Sequence, residues 1–160
     1  MLNPGILERA SDVIQLCLTK KYKVATVESC TGGLISAALT AVSGASEVVD
    51  RGFVTYSNEA KNQLVGVPLN LIDTCGAVSE EVAHAMAEGG LQRSIANITV
   101  SVTGIAGPGG GTKTKPVGLV HFACAHKNKP TTSYFEVFSG DRSSVREATV
   151  LHAFNMIETS

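Results

Sequence analysis

The 160-residue sequence predicts an α/β protein, a three-layer α/β/α sandwich on a mixed, mostly parallel sheet. Three observations point there. Short β-rich apolar runs alternate with helical ones, Gly- or Ser-marked turns separate them, and the last two strands are joined by a polar turn of the hairpin kind. At this length one domain, residues 1–160, is expected, large enough to bury roughly 70% of its unfolded surface.

The elements follow in order. Asn3 is placed to cap a helix with Pro4 at its first position, and Ile6, Leu7, Ala10, Val13, Ile14, Cys17 and Leu18 share one face of it. After "KKYK" comes the strand "VATV", then the turn "ESCTGG" and the helix "LISAALTAV", ending at Gly44. "RGFVTYS" reads as a second strand that hands over at Asn58 to a helix closed by Gly66. Ser79 caps "EEVAHAMAEGGLQRS", whose Glu80 and Glu81 suit the positive end of the helix dipole and whose double glycine reads as a frayed end. "ITVSVTG" is a strand running into the glycine-rich loop "IAGPGGGTKTKP". "VGLVHFACA" and "TTSYFEVFS" form the hairpin, and a last amphipathic helix starts near Asp141 or Ser143.

Composition narrows the function classes. Hydrophobic residues are 44% and charged residues 17% of the chain, and the formal charge of −1 offers no electrostatic footprint for nucleic acid. The four cysteines are scattered, with no C-x-x-C and no metal-ligand spacing, so they read as reduced thiols with no metal among them. No segment approaches the roughly 18 apolar residues of a membrane span, and "MLNPGILERASDV" does not have the form of a secretory signal. A cytoplasmic protein that binds neither nucleic acid nor membrane is expected. A homodimer completing the cleft is compatible with the low aromatic content.

In open α/β sheets ligands lie beyond the carboxyl ends of strands, and the loops "ESCTGG", "YSNEAK" and "GIAGPGGG" all follow strands. If those strands are parallel neighbours, Ser29, Cys30, Thr31, Tyr56, Ser57, Lys61 and Thr103 surround one cleft. Gly32 and Gly33 permit a tight turn, and backbone N–H groups beside a helix N-terminus can hold a phosphate or an oxyanion. Ser29 needs a base. The four histidines lie in helices or in the hairpin, so Lys61 is the candidate, with Tyr56 relaying a proton or orienting the amine. Cys30 ranks second as nucleophile, since a thiol at a helix N-terminus is activated. "GPGGGTKT" has Thr112 where a phosphate-binding loop needs glycine, and a strand follows it instead of a helix. Arg142 suits a substrate phosphate or carboxylate, or pairs with Asp141 or Glu147 on the surface.

Together "ESCTGG", "GFVTYSNEAK", "GAVSEEVA", "TGIAGPGGGT", "KPVG" and "FSGDR", in that order, resemble the CinA C-terminal family, the competence/damage-inducible protein domain. Stand-alone members of that family are similar to nicotinamide-nucleotide amidohydrolase, which converts nicotinamide mononucleotide (NMN) to nicotinate mononucleotide and ammonia. The resemblance implies a serine amidohydrolase of pyridine nucleotide salvage acting on a small nucleotide without metal or cofactor. Its catalytic residues fall on Ser29, Lys61 and Tyr56. Substrate binding falls on Cys30, Thr31, Gly32, Gly33, Thr103, Gly104, Gly107 and Arg142. Longer members carry a further N-terminal domain resembling molybdopterin-binding proteins, and roles that depend on it are not expected here. The competing reading is a non-catalytic nucleotide-binding or regulatory module in which Ser29 is only a cap.

Overall fold

The computed structural model describes residues 1–160. Helix α1 (Pro4–Lys20) begins as the capping pattern requires, with the Asn3 side chain accepting from the Gly5 N–H. Then come β1 (Val24–Glu28), α2 (Leu34–Thr40), α3 (Ala45–Val48), β2 (Val49–Val54), α4 (Asn58–Val65), α5 (Leu69–Cys75), α6 (Glu80–Gln92), β3 (Ile98–Gly104), β4 (Leu119–His126), β5 (Lys129–Val137) and α7 (Arg142–Glu158).

The strands form one sheet in the order β2-β1-β3-β4-β5. β1 pairs with β2 and β3 in parallel, and β4 pairs antiparallel with β3 and β5. Four of the five strands therefore run the same way, with β4 alone reversed. The alternation of side chains sorts two cores. Val24, Val100, Val102, Val120 and Phe122 face α1, α2 and α7 in a large apolar cluster. Val27 faces α6 and the short helices α4 and α5 with Val65, Ile72, Val82 and Met86. Sheet and flanking helices make the three layers expected from the sequence. No helix is long and apolar enough to cross a membrane.

Four details depart from the sequence pattern. The one-turn α3 and the seven-residue α5 are too short to show a period. α2 stops at Thr40, before the Gly44 that the pattern suggested. The cap of α4 is Ser57 and not Asn58, because the Ser57 hydroxyl accepts from the Ala60 N–H at 3.0 Å. The double glycine of α6 is not a frayed end. Gly89 and Gly90 are buried inside the helix, and a Cβ on Gly89 would stand 1.9 Å from the Val65 carbonyl oxygen. On Gly90 it would stand 2.5 Å from Val27 Cγ2 and 2.8 Å from Thr99 Cγ2. These glycines let α6 lie against both α4 and the sheet.

Candidate active site

Ser29 is the first residue past β1, and its N–H donates to the Val102 carbonyl at 3.0 Å, so it keeps the strand's direction for one more step. Alternation then turns Glu28 toward α2 and Ser29 toward α4. The chain doubles back through two tight turns, with Gly32 N–H donating to Ser29 O and Leu34 N–H to Thr31 O. Gly32 and Gly33 sit at φ values of 59° and 99°, which side chains with a Cβ rarely adopt. This leaves the N–H groups of Cys30, Thr31 and Gly33 without an acceptor in the protein.

Parallel pairing brings the end of β2 beside this turn. Thr55 N–H donates to the Glu28 carbonyl at 2.8 Å, and three residues later the chain enters α4. One turn into that helix Lys61 points inward, 2% exposed, its Nζ 3.3 Å from Ser29 Oγ and 3.2 Å from the Thr55 carbonyl oxygen to which it donates. No carboxylate forms an ion pair with it. Burial pushes the Lys61 pKa below the ordinary lysine range, with the neighbouring Cys30 and Glu59 opposing more weakly.

Cys30 is 6% exposed, and burial drives its thiol pKa up to about 12. Cys30 is therefore a protonated thiol at neutral pH, without the activation that a helix N-terminus would give a thiolate. Tyr56 lies at the rim, and its hydroxyl accepts from Arg142 Nη2 at 3.1 Å instead of meeting Lys61. Arg142 also donates through Nη1 to the Gly107 carbonyl at 2.9 Å, tying the glycine-rich loop to Tyr56. It forms no salt bridge with Asp141 or Glu147.

These groups surround a cleft of about 260 Å³. Of the residues the sequence singled out, Ser29, Cys30, Tyr56, Lys61, Thr103, Gly104 and Arg142 line it. Thr31, Gly32, Gly33, Ser57 and Gly107 do not. Thr31 is wholly buried, donating its hydroxyl to Glu28 Oε1 at 2.7 Å, and Gly107 contributes through the carbonyl that anchors Arg142. Thr103 spends its hydroxyl on the Ala77 carbonyl at 2.8 Å, holding the stretch before α6 against the end of β3. Gly104 is glycine because β4 passes so close that a Cβ would stand 2.8 Å from the Leu119 carbonyl oxygen. Asn58, Ala77, Val78 and Ala106 also line the cleft and were not anticipated. Ala77 and Val78 stand directly before the Ser79 cap, a position from which a chain entering a helix at the end of a sheet borders the ligand crevice. No three His, Cys, Asp or Glu side chains are grouped to hold a metal ion.

Residues 7–160 match the CinA C-terminal domain family. The chain belongs to that family. The crystal structure of the competence/damage inducible protein CihA from Agrobacterium tumefaciens superposes with a TM-score of 0.96 at 46% identity, covering 99% of this chain and 97% of that one. A protein named nicotinamide-nucleotide amidohydrolase PncC from Enterobacter agglomerans is 51% identical over 127 residues, 79% of this chain and 77% of that protein. Its namesake from Shigella flexneri is 41% identical over 157 residues, 98% of this chain and 95% of that protein. Other curated relatives in the family are longer. The chain spans about a third of their length, for example 35% of a Caldicellulosiruptor bescii relative that is 54% identical over 145 residues.

Proposed function

We propose that this CinA-family chain is a nicotinamide-nucleotide amidohydrolase that converts NMN and water to nicotinate mononucleotide and ammonia, with Ser29 as nucleophile and Lys61 as its base. The observation that carries the reading is the buried amine of Lys61, 3.3 Å from Ser29 Oγ, with no carboxylate in an ion pair with it. The names of the Enterobacter agglomerans and Shigella flexneri relatives supply the substrate.

In the proposed cycle neutral Lys61 keeps one N–H on the Thr55 carbonyl and turns its lone pair to the Ser29 hydroxyl. The Ser29 proton moves to Nζ as Oγ bonds to the carboxamide carbon. The oxyanion falls to the free N–H groups of the turn that begins at Cys30, each worth on the order of 3–4 kcal/mol in such a role. The C–N bond then breaks, ammonia leaves with the proton from Lys61, and a nicotinoyl ester remains on Ser29. Water attacks the ester, giving its proton to Lys61. The ester C–O bond breaks and Ser29 regains its hydrogen. Arg142 binds the substrate phosphate at the rim, and Tyr56 orients Arg142. The scheme uses neither metal nor cofactor, and the role proposed for it is cytoplasmic pyridine nucleotide salvage.

The test is ammonia release from NMN by the purified protein in the presence of a chelator, beside Ser29→Ala and Lys61→Ala. Loss in both variants is expected, and a nicotinoyl adduct should accumulate on the peptide containing Ser29. Undiminished release by Ser29→Ala would refute the mechanism, and no release by the unaltered protein would refute the activity.

A further inference from the structure

The cycle above leaves a buried carboxylate without a task. Glu28 is 0% exposed, and five donors converge on its carboxylate. Oε1 accepts from Thr31 Oγ1 at 2.7 Å and from the Ile35 N–H at 2.8 Å. Oε2 accepts from Thr26 Oγ1 at 3.0 Å, the Ser36 N–H at 3.0 Å and Ser36 Oγ at 2.9 Å. Ile35 and Ser36 are the second and third residues of α2, whose first N–H groups have no partner inside the helix. Gly33, at the cap position, has no side chain to meet them, so Glu28 caps the helix from the neighbouring strand.

Gly33 holds φ at 99°, where a serine or aspartate cap would be strained, so the cap has to come from elsewhere in the fold, yet two N–H groups alone do not require a charge buried in the core. What Glu28 adds is a hold on the nucleophile turn from both sides. Its side chain fixes Thr31, two residues beyond Ser29, while Arg146 Nη2 donates to the carbonyl of the same Thr31 at 2.9 Å. Its main-chain carbonyl accepts from the Thr55 N–H, and Thr55 in turn receives the Lys61 amine. Glu28 is thus bonded covalently to the proposed nucleophile and joined through one residue to the proposed base, yet it does not line the cleft.

We propose that Glu28 is the positioning residue of this site, its buried carboxylate holding the Ser29–Gly32 turn in the geometry that places Oγ beside Lys61 and leaves the Cys30 and Thr31 N–H groups free. The proposal rests on the amidohydrolase reading. Glutamine in its place keeps one acceptor oxygen but turns an NH₂ toward the other group of donors. The hydroxyls can rotate to accept from it, whereas the Ile35 or Ser36 N–H cannot, so the turn must shift.

The experiment compares Glu28→Gln, Thr31→Val and Thr31→Ser with the unaltered protein, below the unfolding temperature of each. Displacements near 1 Å at a reacting pair can cost about 100-fold. Glu28→Gln and Thr31→Val should therefore lose about 10- to 100-fold in kcat with KM little changed, and Thr31→Ser should retain most of the activity. Wild-type kcat in Glu28→Gln and Thr31→Val, with only a lowered Tm, would overturn the proposal and reduce Glu28 to a helix cap. If Glu28→Gln does not fold, the two Thr31 variants decide. If the unaltered protein releases no ammonia, the amidohydrolase reading has failed instead. The positioning role is then read from the rate at which a fluorophosphonate labels Ser29. A slowed rate in Thr31→Val supports it, and an equal rate overturns it.

Discussion

Replacing Gly89 with alanine sets two effects of opposite sign against each other. In a helix interior alanine is favoured over glycine by about 1 kcal/mol, so propensity alone predicts a stabilised α6. Packing predicts the reverse. The new Cβ would lie 1.9 Å from the Val65 carbonyl oxygen, where contacts below 3.0 Å are essentially never found, so α4 and α6 must separate by about 1.1 Å. Overpacking of this kind costs about 1–3 kcal/mol and outweighs the propensity gain in most of that range. Each net kcal/mol lowers Tm by about 2–4 °C in a chain of this size. α6 has no room to retreat, because Gly90 already lies against Val27 and Thr99. α4 has solvent behind it at Asn58, Glu59, Gln63 and Leu64, so α4 is the helix that moves. Lys61 moves with it, and a shift near 1 Å at the proposed base is enough for about a 100-fold loss of kcat. Thermal unfolding by circular dichroism and ammonia release from NMN read the two consequences separately. A raised Tm together with unchanged kcat in Gly89→Ala would refute the close-packing argument.

Further expectations concern the groups around Ser29. Activity should fall as pH drops through the lowered pKa of Lys61, because only the neutral amine can take the serine proton, and an acid limb unrelated to an amine would contradict this. For stability the sign is opposite to that of a salt-bridged lysine. The unfolded chain binds more protons between the lowered folded pKa and 10.5, so stability rises with pH across that window. Lys61→Met should lack that rise in a plot of Tm against pH. Cys30→Ala should keep ammonia release within a few-fold, and the Cys30 thiol should resist iodoacetamide at pH 7. A pKa of about 12 leaves only about one thiolate in 10⁵ there. Loss of activity in Cys30→Ala would return the cysteine to candidacy.

What could be read from the sequence was what depends on neighbours in the chain. The turn after β1, the cap before α6 and the hairpin are each encoded within a few residues, and the strand-to-helix switches were enough to gather Ser29 and Lys61 at one end of the sheet. Contacts set by tertiary approach were hidden. Glu28 passes for one more residue of the turn after "VATV" until α2 folds back on it, since its partners include Ile35 and Ser36, seven and eight residues on. Gly89 and Gly90 read as a frayed helix end because the reason for them is Val65 on another helix and Val27 in the sheet. The bond from Arg142 to Tyr56 spans 86 positions, and nothing local announces it. Thr103 was placed at the right end of β3, but its hydroxyl is taken by Ala77.

The separation of Ser29 and Lys61 by 32 residues has a consequence for how the protein assembles. No single segment of chain contains the pair, and they meet only when β2, at the sheet's edge, docks beside β1 with Val54 opposite Glu28. Helices form from local contacts and can rise early in refolding, whereas parallel pairing must first close the loop between the strands and is slower. The return of catalysis after dilution from denaturant therefore serves as a clock for that docking. It should lag the far-UV helical signal, and each later turnover certifies that the edge of the sheet is in place.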